Sequence, residues 1–430
     1  MNLGRELPDL EAAIERADMR RLALREQLAA RRAHLPLRYW RQQAHFTTPA
    51  TEETARKAVE GGTAPMSRIL ERFGVTAGEL ADLFGVDAAL VEGLLARPRR
   101  APLVMLDAED ALALTDEAAE LGLDGATRVL AEGDWSGGGP RTLRFYRPPG
   151  LNLATTARDL YRLLWSLAAR SEPGSIPLDG IVFPKIEHPE EIDLVHGMLT
   201  EAERSLGLEV GTIRVAYLIE SGWAAAQLAE LASRAADRLC ALIFGLADYS
   251  ADLGLPQIAN EHPIADWARA TIVDVAGAVG VPAIDGMTLD YPVGDPELDP
   301  AANRARFLDR MKLVYRDAVR ARDFGMLGKW VGHPAQLFAV LLAFESAFSE
   351  EALEAEAGKL AAYHSAVHEE GRGATMIAGV MSDRATDRHA RVVLRQATAV
   401  GRFDPGRAFE LGVIDQSELA EAQRLAGSTG

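Results

Sequence analysis

Eight short apolar runs, each followed by a helix-length segment, constrain the fold of this chain more than any other feature. They fall at 43–49, 103–106, 143–146, 180–185, 212–220, 241–248, 282–285 and 328–331. LVML, GIVF and ALIFGLA are continuously apolar rather than alternating. A strand of that kind is buried on both faces, as in a parallel sheet covered by helices. Eight of them are the number that closes a (β/α)8 barrel. An open doubly wound sheet uses the same units but carries a Gly-rich phosphate turn after its first strand, and none is found here. The pattern predicts the α/β class, with a TIM barrel over 41–345 and a helical insertion at about 62–100 after the first strand. An N-terminal helical arm (1–40) precedes it, and a C-terminal helical lid (346–430) follows.

Charge narrows the partners. With 46 basic and 63 acidic residues the net charge is −17, which argues against nucleic acid and against anionic membrane surfaces. A small anion held in a local positive pocket stays compatible with that balance. The single cysteine, Cys240, stands just before an apolar strand and reads as an inert core thiol in a reducing compartment. The charged start MNLGRELPDLEAAIERAD has no apolar core of a signal peptide, and no run of 18 apolar residues exists. The expectation is a cytoplasmic protein.

In a parallel barrel the chemistry lies at the C-terminal ends of the strands. Strand two ends at Asp107, Glu109 and Asp110, strand three carries Arg144, and strand four ends at Lys185. Strands five, six and seven end at Glu220, Asp248 and Asp285, and strand eight reaches Lys329 and His333. Glu220 and Asp248 fall at the ends of adjacent strands, with no His or Cys cluster beside them. Such a pair suits a hard cation with oxygen ligands, Mg²⁺ with Mn²⁺ as its substitute, whereas zinc favours His and Cys. Helix caps and ion pairs to Lys185 or Arg144 are the other use of the same carboxylates. A strand-end guanidinium at Arg144 can clamp a carboxylate or stabilise a forming enolate oxygen. Lys185 has an ion pair with Glu109 or Asp110 as its alternative, and His333 is either a structural hydrogen-bonder or a base.

Taken together, these motifs resemble the citrate lyase β-subunit-like family, which includes malyl-CoA and citramalyl-CoA lyases of the HpcH/HpaI aldolase/citrate lyase superfamily. The resemblance covers about residues 41–395. VMLDAEDALALTDEAA, LRFY and FPKIEHPEEI are similar to the acidic, arginine and Pro-Lys segments of that family. YLIESGWAAAQ and IFGLADYSADLG resemble its two metal motifs, PAIDGMTLDY and GKWVGHPAQ its last two strands, and GATMIAGVMSD its lid motif. The resemblance implies a Mg²⁺-dependent carbon–carbon lyase or aldolase with no organic cofactor. It would join or cleave a 2-oxo acid, glyoxylate or pyruvate, and an enolate, that of an acyl-CoA in the first instance. The residues so implied are Glu220 and Asp248 for the metal, Arg144, Lys185 and Asp383 for catalysis, and Arg144, Glu109 and Asp110 for substrate. Asp383 falls on the catalytic base, and a homo-oligomer, trimer or hexamer, is implied as well. A CoA-independent 2-oxo acid aldolase and a catalytically idle oxo-acid-binding barrel are the alternatives.

The chain departs from that family in the extra N-terminal helix, in the insertion at about 62–100 and in three further places. The first strand ends in TTPA rather than Val-Pro-Gly, Tyr146 stands where an asparagine is usual, and the loop YPVGDPELDPAANRAR is longer. The insertion contains TAGELADLFGVDAALVEGLLARPRR, spaced like a helix-turn-helix, which in so acidic a chain is expected to cover the barrel rather than read DNA. Leu7, Leu10, Ile14, Ala17 and Leu24 form a rough helical stripe in the N-terminal arm.

Overall fold

A computed structural model of the chain describes residues 8–427 except 63–64, 97–100, 111, 113–114, 136–141, 369–373 and 378–379. Leu7, the end of the insertion and part of the expected lid motif lie outside the described residues. Eight parallel strands close into a barrel in sequence order. They are β1 (Ala44–Pro49), β2 (Leu103–Asp107), β3 (Leu143–Arg147), β4 (Gly180–Phe183), β5 (Arg214–Ile219), β6 (Leu239–Phe244), β7 (Ala283–Asp285) and β8 (Gly328–Val331). Closure is made by β1 against β8, with Ala44, His45 and Phe46 opposite Lys329, Trp330 and Val331. Every residue of β2, β4 and β6 is buried, which is why those runs are apolar on both faces. Asp107 at the end of β2 is the one charge among them, and it lies at the mouth.

Helices follow each strand. Three of them, Pro189–Ser205, Pro263–Val279 and Pro334–Glu345, start with the same device. His188, His262 and His333 each accept a main-chain N–H on Nδ1, and the proline that follows sets the first helical φ. His333 is therefore a cap, the bland reading of the two.

The sixth strand is shorter than its apolar run suggests. It stops at Phe244, the chain turns at Gly245, and Asp248 lies in the first turn of the helix Leu246–Asp252. Apolar character continues through Leu246 because both elements are buried there, so hydrophobicity alone could not mark the junction. Glu220 directly follows β5 and precedes Ser221, the N-cap of the helix Gly222–Ala226.

The insertion forms the helices Pro65–Phe73, Ala77–Phe84 and Ala88–Ala96, which pack on the outer helices Pro300–Asp323 and Pro334–Glu345. Phe73 stacks on Phe307 and Phe84 on Tyr315, each with ring centroids 4.4 Å apart. The apolar faces of the helix-turn-helix-like pair are thus turned onto the barrel. The C-terminal helices Glu350–His368, Arg384–Ala399, Pro405–Glu410 and Gln416–Gly427 share a second core that includes Leu353, Leu394 and Ile414. This core also takes in Leu37, from the 3-10 turn Leu37–Trp40 just before β1, which puts it at the N-terminal side of the barrel. A two-stranded hairpin, β9 (Thr375–Ile377) and β10 (Val380–Ser382), precedes Asp383. The N-terminal helix Pro8–Ala29 is exposed from Ala13 onward. No helix among the described residues is long and apolar enough to cross a membrane.

Candidate active site

The strand ends enclose a cavity of about 380 Å³ lined by Thr47, Asp107, Asp110, Arg147, Glu220, Asp248, Tyr291 and Trp330 among others. Its charged residues stand on or just beyond strands β2, β3, β5 and β6, and Asp107, Asp110, Arg147 and Glu220 are each held by a neighbour.

Arg147, not Arg144, supplies the cation. Successive side chains of a strand point to opposite faces, so the two arginines of LRFYR, three residues apart, part company. Arg144 turns outward: its guanidinium lies 5.1 Å from the ring centre of Trp135 and donates to the Leu130 carbonyl at 3.4 Å. Arg147 is the last residue of β3, register-paired with Asp107, the last of β2. Its Nε and Nη2 donate to the two Asp107 oxygens at 2.7 and 2.6 Å, a bidentate fork that fixes the guanidinium plane. Its Nη1 lies 2.9 Å from Glu109 and 3.1 Å from Asp110. The proline pair Pro148–Pro149 that ends the strand was the signal in the sequence, because it makes Arg147 the strand-end residue.

Lys185 meets Glu109 through its ammonium and stands 3.9 Å from Asp110. Burial opposes its charge, yet Glu109, Asp110 and Glu220 outweigh it and raise the pKa. Its backbone is left-handed, at φ 55°, an uncommon state for a lysine. That turn aims the Lys185 main-chain N–H at Glu220 Oε1, 2.7 Å away. Glu109 and Asp110 are thus committed first to the two cations, and their contact with a substrate would be secondary.

Glu220 is buried, and its pKa is pushed up to about 8, first by burial and then by the charge of Asp248. A buried carboxylate beside a second, half-buried one is destabilised unless a cation joins them. The backbone leaves room for the pair: a Cβ on Gly245 would lie 2.7 Å from Glu220 Cβ and 3.0 Å from its Oε2. Among the described residues no group of three or more His, Cys, Asp and Glu side chains is arranged to hold a metal ion. Two oxygen ligands without nitrogen or sulfur fit a hard cation that keeps water and substrate in its shell, and do not fit zinc.

Three expected residues stand elsewhere. Asp285 and Lys329 pair with each other at 2.7 Å and, with Arg269 and Asp317, form a buried network between the barrel and its outer helices. They hold β7 and β8 to the outer helices rather than reach the mouth. Asp383 caps the helix Arg384–Ala399, accepting from the main-chain N–H of Ala385 and Thr386 at 2.9 and 3.2 Å. Farther along that helix Arg395 donates to the Leu35 carbonyl, on the side of the barrel away from the mouth.

The family model described as a domain of unknown function, DUF6986, matches residues 41–426. An L-malyl-CoA/beta-methylmalyl-CoA lyase of Cereibacter sphaeroides is 31% identical over 317 residues, 70% of this chain and 88% of that protein. The enzyme of the same name from Haloarcula marismortui is 27% identical over 254 residues, 57% of this chain and 68% of that protein. Among solved structures, a citrate lyase from Burkholderia xenovorans LB400 has a TM-score of 0.55 and 25% identity, covering 72% of this chain and 87% of that one. With the barrel and its strand-end charges these likenesses agree: the chain belongs to the DUF6986 family and to the citrate lyase/malyl-CoA lyase family of the HpcH/HpaI superfamily, and is a carbon–carbon lyase.

Proposed function

We propose that the mouth binds a 2-oxo acid, glyoxylate or pyruvate, over Glu220 and Asp248, and makes or breaks its bond to the enolate carbon of an acyl-CoA thioester. The observation that carries this reading is one cavity lined by two neighbouring carboxylates, which follow the adjacent strands β5 and β6, and by a guanidinium locked by Asp107. The names of the Cereibacter and Haloarcula relatives, lyases of malyl-CoA and methylmalyl-CoA, support it.

Glu220 and Asp248 would hold a divalent cation, Mg²⁺ first, which when bound supplies Lewis-acid polarisation of the oxo acid and a template for it. Lys185 orients Glu220 through its main-chain N–H, and Asp107 orients Arg147. With its Nε and Nη2 fixed on Asp107, Arg147 would turn a remaining guanidinium N–H to the enolate oxygen, so stabilising the developing charge requires little reorganisation. Glu109 and Asp110, shared between Lys185 and Arg147, keep both cations charged.

Proton transfer at the enolate carbon is assigned to Asp383 of a neighbouring copy in a homo-oligomer. In its cap the main-chain N–H groups of Thr386 and Ala385 lower its pKa, which keeps it in the carboxylate form a base needs.

Calorimetry with glyoxylate and with pyruvate, in Mg²⁺ and in EDTA, tests the site on the wild type and on Asp248→Ala. Metal-dependent binding that vanishes in the variant is the expected result. An absence of binding in every condition would overturn the proposal. Cleavage of malyl-CoA beside the free hydroxy acid then reports whether the thioester is needed, and oxo-acid binding without turnover of either would mark an idle barrel.

A further inference from the structure

Three polar groups in the mouth have no task in the reaction just described. The Trp330 indole Nε1, on β8, is buried without a hydrogen-bond partner among the described residues, and the residue is only 8% exposed. An indole N–H can only donate, so an internal acceptor is missing for it. The buried Thr47 hydroxyl, near the end of the adjacent β1, is in the same position. The Tyr291 hydroxyl has only the Met287 sulfur, 2.9 Å away, and a thioether is a weak acceptor.

These groups stand together for structural reasons. A Cβ on Gly332 would fall 2.3 Å from the Tyr291 oxygen, so this glycine makes the space for the phenol. The loop that carries Tyr291 is pinned at three carbonyls, Gly286 by Lys329, Thr288 by Gln336 and Tyr291 by Arg310, each at 2.7 Å. Arg147 lies over the Trp330 ring, 5.1 Å from its centre. In a closed barrel ordered β1 to β8, β8 and β1 stand across the ring from β4 and β5. The donors therefore approach the cavity from the side opposite Glu220.

We propose that Trp330 Nε1–H and the Tyr291 hydroxyl form a donor pair that binds a carbonyl-type oxygen of the second reactant, across the cavity from the oxo acid. The Thr47 hydroxyl borders the same spot. This assignment rests on the function proposed above and adds the subsite of the other substrate. An acyl thioester and a free carboxylic acid both present such an oxygen, so the test carries both.

Trp330→Phe keeps an aromatic ring beneath Arg147 while removing the N–H with part of the indole, and Tyr291→Phe removes only the hydroxyl. Acetyl-CoA, and separately L-malate, are titrated into the full-length wild type and both variants, with glyoxylate plus Mg²⁺ as the reference ligand. A neutral hydrogen bond corresponds to about a five- to tenfold change in affinity. Each variant is expected to weaken by that factor whichever of the two probes the wild type binds, while glyoxylate affinity stays within about twofold. Unchanged affinity in both variants would overturn the donor pair, as would a parallel loss of glyoxylate binding, which would mark a merely structural role. A wild type that binds glyoxylate but neither probe would also overturn it. Failure of the proposed function reads differently, as a wild type with no Mg²⁺-dependent glyoxylate binding at all.

Discussion

Arg147 and Arg144 sit three residues apart on one strand and do unrelated work. Replacing Arg147 by Lys keeps the charge but loses the fork to Asp107, so kcat is expected to fall about a hundredfold or more. Arg144→Lys disturbs the stack on Trp135 and the hydrogen bond to Leu130, away from the mouth, and should leave kcat within about twofold while lowering the melting temperature slightly. Steady-state kinetics and a thermal melt on the two variants settle the assignment, and equal losses of kcat would contradict it. A second residue-scale effect belongs to His45, buried and bonded to Gln42, whose pKa burial pushes down to about 3. Its folded pKa is depressed relative to the unfolded value near 6.5, so the stability it carries is complete above that pH. That stability is lost as the pH falls toward 3, because the unfolded chain takes up the proton first. Urea unfolding at pH 7.5 and pH 5 should show a loss of up to about 2 kcal/mol from this group, and His45→Gln should remove that part of the dependence.

At the scale of elements, the junction of β6 with the helix Leu246–Asp252 decides the geometry of the proposed metal pair. Gly245 is required there because a methyl group would strike Glu220 at its Cβ and Oε2. Gly245→Ala is expected to leave the circular dichroism spectrum unchanged and to weaken Mg²⁺-dependent glyoxylate binding about tenfold or more. Retained affinity would mean that Glu220 has other room than the structure shows. The opposite wall follows the same logic, since Gly332 admits Tyr291. Strand order was legible in the chain because a doubly buried strand needs an apolar run, whatever its neighbours are. The end of a strand was not, because Phe244 and Leu246 are both buried although one is strand and the other helix.

For the whole molecule, Asp383 poses the question of assembly. Its helix packs through Leu394 into the C-terminal core around Leu37, and its own contacts are those of a cap. If it serves the mouth of a neighbouring copy, Asp383→Asn and Asp248→Ala lie on different halves of a shared site. Each variant alone should be inactive, and mixing them with subunit exchange should restore about a quarter of the wild-type sites. No recovery after proven exchange would place the base elsewhere.

The order of the strands, the closed barrel and the pairing of Glu220 with Asp248 were determined by the sequence alone. The reason is that each follows from local pattern: apolar runs make strands, strands alternate with helices, and consecutive strand ends become neighbours. Tertiary structure decided the rest. Which arginine faces the mouth depends on the face a side chain takes in a strand. Whether Asp285 and Lys329 are available depends on Arg269 and Asp317, which arrive from outer helices. That the Trp330 donor lacks a partner among the described residues becomes visible only in the folded chain. Directions and partners of polar groups are non-local quantities, and they set the chemistry of this mouth.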